Sequence, residues 1–267
     1  MNGQAVETLE DSIVNYWDGR SGSYSNGVLG ELGDERGDLW ENYLRAALAD
    51  VKIAAHAENR TPRVLDLGCG PGFFGILFGR TGWVVDGIDS SSAMLARARA
   101  NIDAAVPDNN VTLTCGDFTR LPFPDNTFDA AVARNVTWLM TEPEAAYAEW
   151  LRVLKPGGKL IVFDANWYRY LVDKQVDEAR TADITNNVLE GWDEGAQATS
   201  DEEKVCEEIA RHLPLTPVLR PDWDLETLEN LGASRVSADR DAWQKVWTAN
   251  ESRYYAATPT FCVEAVK

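Results

Sequence analysis

From Arg63 to Ala165 the chain alternates short apolar runs of strand length with stretches whose apolar residues recur at helical spacing. No other feature limits the fold as strongly. Strands that read as near-continuous apolar runs are buried on both faces, and the intervening helices are what covers those faces. The runs are RVLDLG (63–68), VVDGID (84–89), VTLTCGD (111–117), FDAAVARN (128–135) and KLIVFDA (159–165). After the second, SSSAMLARARANI (90–102) sets Met94, Leu95 and Ala98 at helix spacing, with Ser90 or Ser91 where an N-cap belongs. A helix with an acidic start is expected from Glu142 to Leu154, and Lys155-Pro156-Gly157-Gly158 reads as its stop. The chain is therefore α/β, with five strands in parallel order.

Beyond Asn166 the rhythm fails for about fifty residues and resumes with DLETLENLG (224–232), SRVSADRD (234–241) and TFCVEAVK (260–267). The gap reads as an insertion. Between Asp173 and Glu208 it carries twelve acidic residues against Lys174, Arg180 and Lys204, which is half of the chain's net charge of −18. The first sixty residues read as a glycine-containing entry segment (Gly19, Gly22, Gly27, Gly30, Gly33, Gly37), then an amphipathic helix through Trp40, Leu44 and Leu48.

A surface of net charge −18 repels phosphate backbones and anionic lipid, so neither nucleic acid nor a membrane is an expected partner. No apolar run approaches the ~20 residues needed to span a bilayer. No basic residue precedes Arg20 to form a signal-peptide n-region, and a soluble cytoplasmic protein is expected. Cys69, Cys115, Cys206 and Cys262 form no CxxC pair, and only His56 and His212 could join them as soft ligands. Reduced thiols and no metal are expected.

In an open parallel sheet, ligands bind beyond the carboxyl ends of the strands. The first strand runs into Asp66-Leu67-Gly68-Cys69-Gly70-Pro71-Gly72, whose glycines let backbone amides approach a ligand closely. The dinucleotide fingerprint would place a third glycine at 73, where this chain has Phe73. The second strand ends in Asp89, spaced from the loop as a ribose-binding carboxylate would be. The third ends in Asp117-Phe118, a carboxylate suited to an exocyclic adenine amine beside an aromatic for the ring, and the fourth in Arg134-Asn135-Val136. A nucleoside is implied, without a pyrophosphate.

These motifs in order, VLDLGCGPG, GID at 87–89, CGDFTRLPFPDNTFD at 115–129, RNVTW at 134–138 and WLRVLKPGGKLIVFD at 150–164, resemble those of the class I S-adenosylmethionine-dependent methyltransferases of the small-molecule, methyltransferase type 11-like kind. The resemblance is strong over 63–165, and the pieces after 222 are similar to the family's closing helix and two strands. It implies a Rossmann-like, seven-stranded, mostly parallel sheet with helices on both faces, an N-terminal helical lid and a helical cap inserted after the fifth strand. The implied division is 1–60 lid and helix, 61–165 core, 166–221 cap, and 222–267 closing helix and strands. It also implies Asp66, Gly68, Cys69 and Gly70 around the methionine portion of S-adenosylmethionine, Asp89 on the ribose, and Ser90 and Met94 near the adenine. Asp117 and Phe118 would meet the adenine amine and edge, and Asn135 the sulfonium end. The opening Tyr16-Trp17-Asp18-Gly19-Arg20-Ser21-Gly22-Ser23-Tyr24 is similar to a YW-x-x-R-x-x-x-Y segment in which Tyr16 or Tyr24 would close over the cofactor.

Methyl transfer needs alignment and desolvation more than a dedicated base. Base candidates are Asp164, His212, Tyr168 and Tyr170; Trp138, Trp167 and Trp192 stand where a small-molecule acceptor would lie. The expected function is methyl transfer to that acceptor with S-adenosylhomocysteine as product. A non-catalytic binder of the same cofactor, or an NAD-dependent oxidoreductase, are the alternatives.

Overall fold

A computed structural model describes residues 8–189 and 199–267. Strands β1 (Arg63–Leu67), β2 (Val84–Asp89), β3 (Val111–Cys115), β4 (Phe128–Arg134), β5 (Leu154–Asp164), β6 (Arg235–Asp239) and β7 (Phe261–Val266) form one sheet in the order β3-β2-β1-β4-β5-β7-β6. All neighbours pair in parallel except β7, which runs antiparallel between β5 and β6. The alternation along β1 shows why the strands are apolar throughout. Val64 joins the core on one face, while Leu65 and Leu67 join the core on the other, and all three are fully buried.

Trp40, Phe74 and Phe163 centre the first core, beneath α2 (Glu35–Ala47), α4 (Phe73–Arg80) and α5 (Ser92–Ala105). Tyr147, Trp150 and Leu228 centre the second, beneath α6 (Pro143–Val153) and α9 (Asp222–Asn230). Between α2 and β1 the short helix α3 (Ala49–Ala57) buries Val51 and Ala55.

Three segments depart from expectation in detail. The entry segment, expected to be helical, keeps a single helix through its glycines: α1 runs unbroken over Leu9–Gly33, started by a capping box between Thr8 and Asp11. Glycine weakens a helix by about 1 kcal/mol per site relative to alanine, and packing offsets that here. Val28 and Leu32 join the core with Trp40, and Ile13 packs with Cys206, Ile209 and Leu213. The second departure is Lys155-Pro156-Gly157-Gly158, which lies within β5 instead of ahead of it. Leu154 already pairs with Phe128, the register then shifts so that Lys159 meets Ala130, and the extra residues form a bulge whose Lys155 Nζ binds Asp129 at 2.8 Å. The third is the β6–β7 connection, which holds two short helices, α10 (Trp243–Val246) and α11 (Ala249–Tyr254).

The insertion after β5 is helical over α7 (Lys174–Leu189) and α8 (Ser200–Arg211). Glu190, Trp192, Asp193 and Glu194 lie outside the described residues. Among the described residues no helix is long and apolar enough to cross a membrane.

The chain returning from the insertion is fixed by a buried ion cluster. Arg220 Nη1 meets Asp164 at the end of β5 at 2.9 Å, while its Nε and Nη2 grip Asp224 of α9 at 2.9 and 2.7 Å; Tyr147 donates to the same Asp224. All three charged side chains are at most 2% exposed. Arg220→Ala would leave two buried carboxylates without their cation, a loss of about 3–5 kcal/mol. Urea unfolding should show a loss of that size, and a loss below about 1 kcal/mol would show that the cluster does not hold the fold.

Candidate functional site

The loop after β1 is built for close approach. Gly68 has φ +62°, and a Cβ there would stand 2.5 Å from the Val136 side chain. Gly70 N donates to Asp89 Oδ2 and Ser91 N to Asp89 Oδ1, both at 2.8 Å. Asp89 thereby braces the loop against the end of β2. Each of its oxygens keeps a second lone pair, which is what two vicinal hydroxyls require. Burial raises the Asp89 pKa, outweighing the two amides that lower it.

Asp66 lies beneath the same loop, 2% exposed, and its Oδ2 is buried with no hydrogen-bond partner. Burial, reinforced by the Asp89 charge, pushes its pKa up to about 8. An orphaned buried carboxylate oxygen is costly, and a cationic ligand group relieves it. Cys69 is buried, and burial, then the charges of Asp66 and Asp89, push its thiol well above the usual range, which removes it as a nucleophile at neutral pH.

Ser91, not Ser90, caps α5: its Oγ accepts from Met94 N at 3.0 Å. Ser90 is half-buried next to it, and Met94 is 2% exposed in the first helical turn. Asp18 of α1, which no sequence motif singles out, accepts at Oδ1 from Ser91 Oγ and Ala93 N and so pins α1 across the end of β2. At the end of β3, Asp117 accepts from Thr119 N and Oγ1 and from Arg120 Nε; burial would raise its pKa, but these donors hold it below the usual carboxylate value. Phe118 packs on the second core.

Asn135, at the end of β4, adopts φ +57°; its N–H donates to Phe163 O and its carbonyl accepts from Trp138 Nε1 at 3.0 Å. Tyr24 of α1 hydrogen-bonds the Asn135 side chain, and its ring lies 3.9 Å from the position of a Cβ on Gly70. Tyr24 therefore joins the first strand's loop to the fourth strand's end. Beside it, Arg134 Nη2 lies 2.8 Å from both oxygens of Glu31, with the guanidinium 4.1 Å above the Phe73 ring.

From this junction a cavity of about 760 Å³ opens. Tyr16 and Tyr24 of α1, Asn135, Trp138, Trp167, Tyr168 and Tyr170 line it, so seven of the sequence candidates share one chamber. Asp66, Gly68, Cys69, Gly70, Asp89, Ser90, Met94, Asp117 and Phe118 lie outside its lining, along the ends of β1, β2 and β3. Trp247, Glu251 and Tyr255, from the β6–β7 connection, close the far side. The aromatic density of residues 243–255 and the Thr248–Glu251 capping box were the available signal for that wall.

The base candidates separate. Asp164 is fully buried and accepts from Thr137 Oγ1, Trp138 N, Ala165 N, Trp167 Nε1 and Arg220, so it is spent on structure and does not line the cavity. His212 is exposed at the end of α8, its Nδ1 2.8 Å from Glu208 O, and it too is outside the lining. Tyr168 lines the cavity, but burial raises its pKa far above 10, so it stays protonated as a donor. Tyr170, also in the lining, donates to Glu207 at 2.8 Å. Among the described residues no three His, Cys, Asp or Glu side chains gather as a metal site needs.

The chain is similar to known proteins in sequence and in fold. Residues 65–162 match the sequence model of a family described as Methyltransferase domain. The chain is 37% identical over 111 residues to phosphatidylethanolamine N-methyltransferase of Cereibacter sphaeroides, covering 42% of this chain and 54% of that one. It is 33% identical over 167 residues to demethylmenaquinone methyltransferase of Paenarthrobacter aurescens, covering 61% and 58%. The chain thus spans about half the length of the curated relatives it matches. In fold it is similar to Haemonchus contortus phosphoethanolamine N-methyltransferase 2, solved in complex with S-adenosyl-L-methionine, with a TM-score of 0.52, 17% identity, and coverage of 78% of this chain and 49% of that one. The architecture is a Rossmann-like methyltransferase fold. Residues 65–162 are similar in sequence to the methyltransferase domain of that family.

The raised Asp66 pKa carries a sign that can be tested. Between the unfolded carboxyl pKa of about 3.9 and the folded value of about 8, the unfolded chain has lost a proton that the native chain keeps. Asp66 therefore makes stability fall as pH rises through that window and adds no further slope above it. Asp66→Asn should flatten the fall in unfolding free energy between pH 5 and 8, measured without ligand. An unchanged slope would mean that Asp66 is ionised in the native protein.

Proposed function

We propose that the protein transfers a methyl group from S-adenosylmethionine to a small-molecule acceptor, leaving S-adenosylhomocysteine. The observation that carries this is the orphaned Asp66 Oδ2 beside a braced glycine loop, with Asp89 on the adjacent strand and an aromatic chamber opening at Asn135. When bound, S-adenosylmethionine supplies a sulfonium-activated methyl group. Asp66 would receive the ligand's ammonium, Asp89 the ribose hydroxyls, and Asp117 the adenine amine beside Phe118. Gly68, Cys69 and Gly70 would offer backbone, with Ser90 and Met94 along the adenine. Tyr24 and Asn135 would border the sulfonium, between the cofactor cleft and the chamber.

In this reading residues 1–60 are the lid and 61–165 hold the cofactor. Residues 166–221 cap the acceptor, and 222–267 close the core. The lid excludes water from the reacting groups, and Asp18 is the latch that ties α1 to α5. No general base is assigned, because alignment along the displacement axis supplies most of the acceleration in such a transfer. The acidic insertion reads as a solvated face: Asp173 pairs with Arg169, Glu178 with Lys174, Asp201 with Lys204 and Glu202 with Arg20. The chamber favours an enzyme over a silent cofactor binder, and Phe73 at the third-glycine position disfavours NAD. The net charge of −18 supports a soluble cytoplasmic enzyme.

Titration calorimetry should show S-adenosylmethionine and S-adenosylhomocysteine binding and NAD silent. Asp89→Ala removes charge-assisted hydrogen bonds worth about 1.5–3 kcal/mol each, so it should weaken S-adenosylhomocysteine at least tenfold. NAD binding with no response to either sulfur ligand would overturn the assignment.

A further inference from the structure

Four arginines line the chamber, and three of them are answered by carboxylates. Arg134 lies 2.8 Å from Glu31, and Arg20 lies 3.2 Å from Glu202. Arg36 lies 2.7 Å from Asp34 and 3.2 Å from Glu251. Arg180 of α7 is the exception: among the described residues no carboxylate stands within ion-pair distance of it. Its own helix places Asp177 three residues before it and Asp183 three after, the spacing at which helical ion pairs form. The other two cations of the acidic insertion do form such pairs, Lys174 with Glu178 and Lys204 with Asp201. Asp183 instead accepts from Ala257 N at 2.8 Å.

What holds Arg180 is a ring. Its guanidinium carbon lies 4.2 Å from the Tyr170 centroid, and the Tyr170 hydroxyl is itself fixed on Glu207 at 2.8 Å. Stacking takes one face of the guanidinium and leaves its edge of N–H donors unspent, and that edge is the part that matches a carboxylate or a phosphate. The lining carboxylates Glu31, Asp34 and Glu251 are neutralised by their arginines, while Glu35 and Glu203 are exposed, where water and salt screen them. Arg180 is half-buried in the wall. The unanswered charge that the chamber holds away from bulk water is therefore positive.

Its position relative to the strand ends also suits one ligand. Tyr170 lies 6.0 Å from Tyr168, and Tyr168 lies 4.7 Å from Trp138, whose indole N–H is held by the Asn135 carbonyl. These rings pack on one another and serve only as a ruler. Arg180 and Asn135 are joined by a run of touching side chains, so a single small molecule can reach both.

Resting on the methyl-transfer reading, we propose that the acceptor carries an oxyanion group, a carboxylate or a phosphate, held by the guanidinium of Arg180 while its methyl-accepting end lies toward Asn135. Arg180 is a binding residue in this arrangement, and it sets specificity by charge.

Titration calorimetry on the complex with saturating S-adenosylhomocysteine would test it, using 3-phenylpropionate, its primary amide and 3-phenylpropylammonium, three probes of one frame that differ in end charge. We expect the carboxylate to bind about tenfold tighter than the amide, with the ammonium weakest. In Arg180→Gln that advantage should fall to near parity, with the amide and S-adenosylhomocysteine bound as in the parent. Arg180→Lys, which keeps the charge and loses the fork, should retain part of it. Lys174→Gln, a control on the same helix, should retain all of it. Equal binding of carboxylate and amide to the parent, no binding of the carboxylate, preference for the ammonium, or an advantage that survives in Arg180→Gln would overturn the proposal. Failure of S-adenosylhomocysteine itself to bind the parent would instead overturn the methyl-transfer reading, so the two failures are distinguishable.

Discussion

Asp164 closes the carboxyl end of β5 by accepting five donors from four parts of the chain. Those donors come from the turn after β4, from its own successor, from the Trp167 indole and from Arg220 at the far end of the insertion. A carboxylate so deep in the protein survives only because each oxygen is satisfied and Arg220 neutralises it. Trp138 and Trp167, two walls of the chamber, are thereby set by one group, and the insertion is tied back to the sheet at the point where it departs. The chamber follows from that anchoring.

The carboxylates at the ends of β1 and β2 obey the opposite logic. Asp66 and Asp89 are like charges on adjacent strands, both raised by burial, and Asp66 keeps an oxygen with no partner. Nothing in the fold gains from this. Strain of this kind is retained where a ligand relieves it, and in the proposed reading a nucleoside with a cationic tail would do so at both carboxylates. The same chain thus pairs Asp164 completely and leaves Asp66 incomplete.

The strand ends were legible because parallel strands are local in sequence and their carboxyl ends define the site. Asp89, Asp117 and Asn135 stand where the sequence puts them, at the ends of β2, β3 and β4, and Asp66 lies in β1 just ahead of its loop. What Asp164 does was not legible, since its neutralising partner lies far along the chain and within an insertion that has no strand rhythm. The unbroken length of α1 was hidden by its glycines, which local propensity disfavours and packing against α5 and α8 tolerates. The α10–α11 wall went unread because two short helices leave no sustained period, and Asp18 because a latch between helix ends has no sequence signature. Ser90 and Ser91 were indistinguishable as caps until the Met94 amide chose between them.

The central claim is that the carboxylates at the strand ends and the aromatic chamber are two halves of one site meeting at Tyr24 and Asn135. A crystal structure of the complex with S-adenosylhomocysteine measures this directly. The ribose hydroxyls should lie on Asp89, the amino group toward Asp66, and the sulfur should face the chamber between Tyr24 and Asn135. An S-adenosylhomocysteine whose sulfur faces away from the chamber, or which binds elsewhere on the sheet, would contradict it.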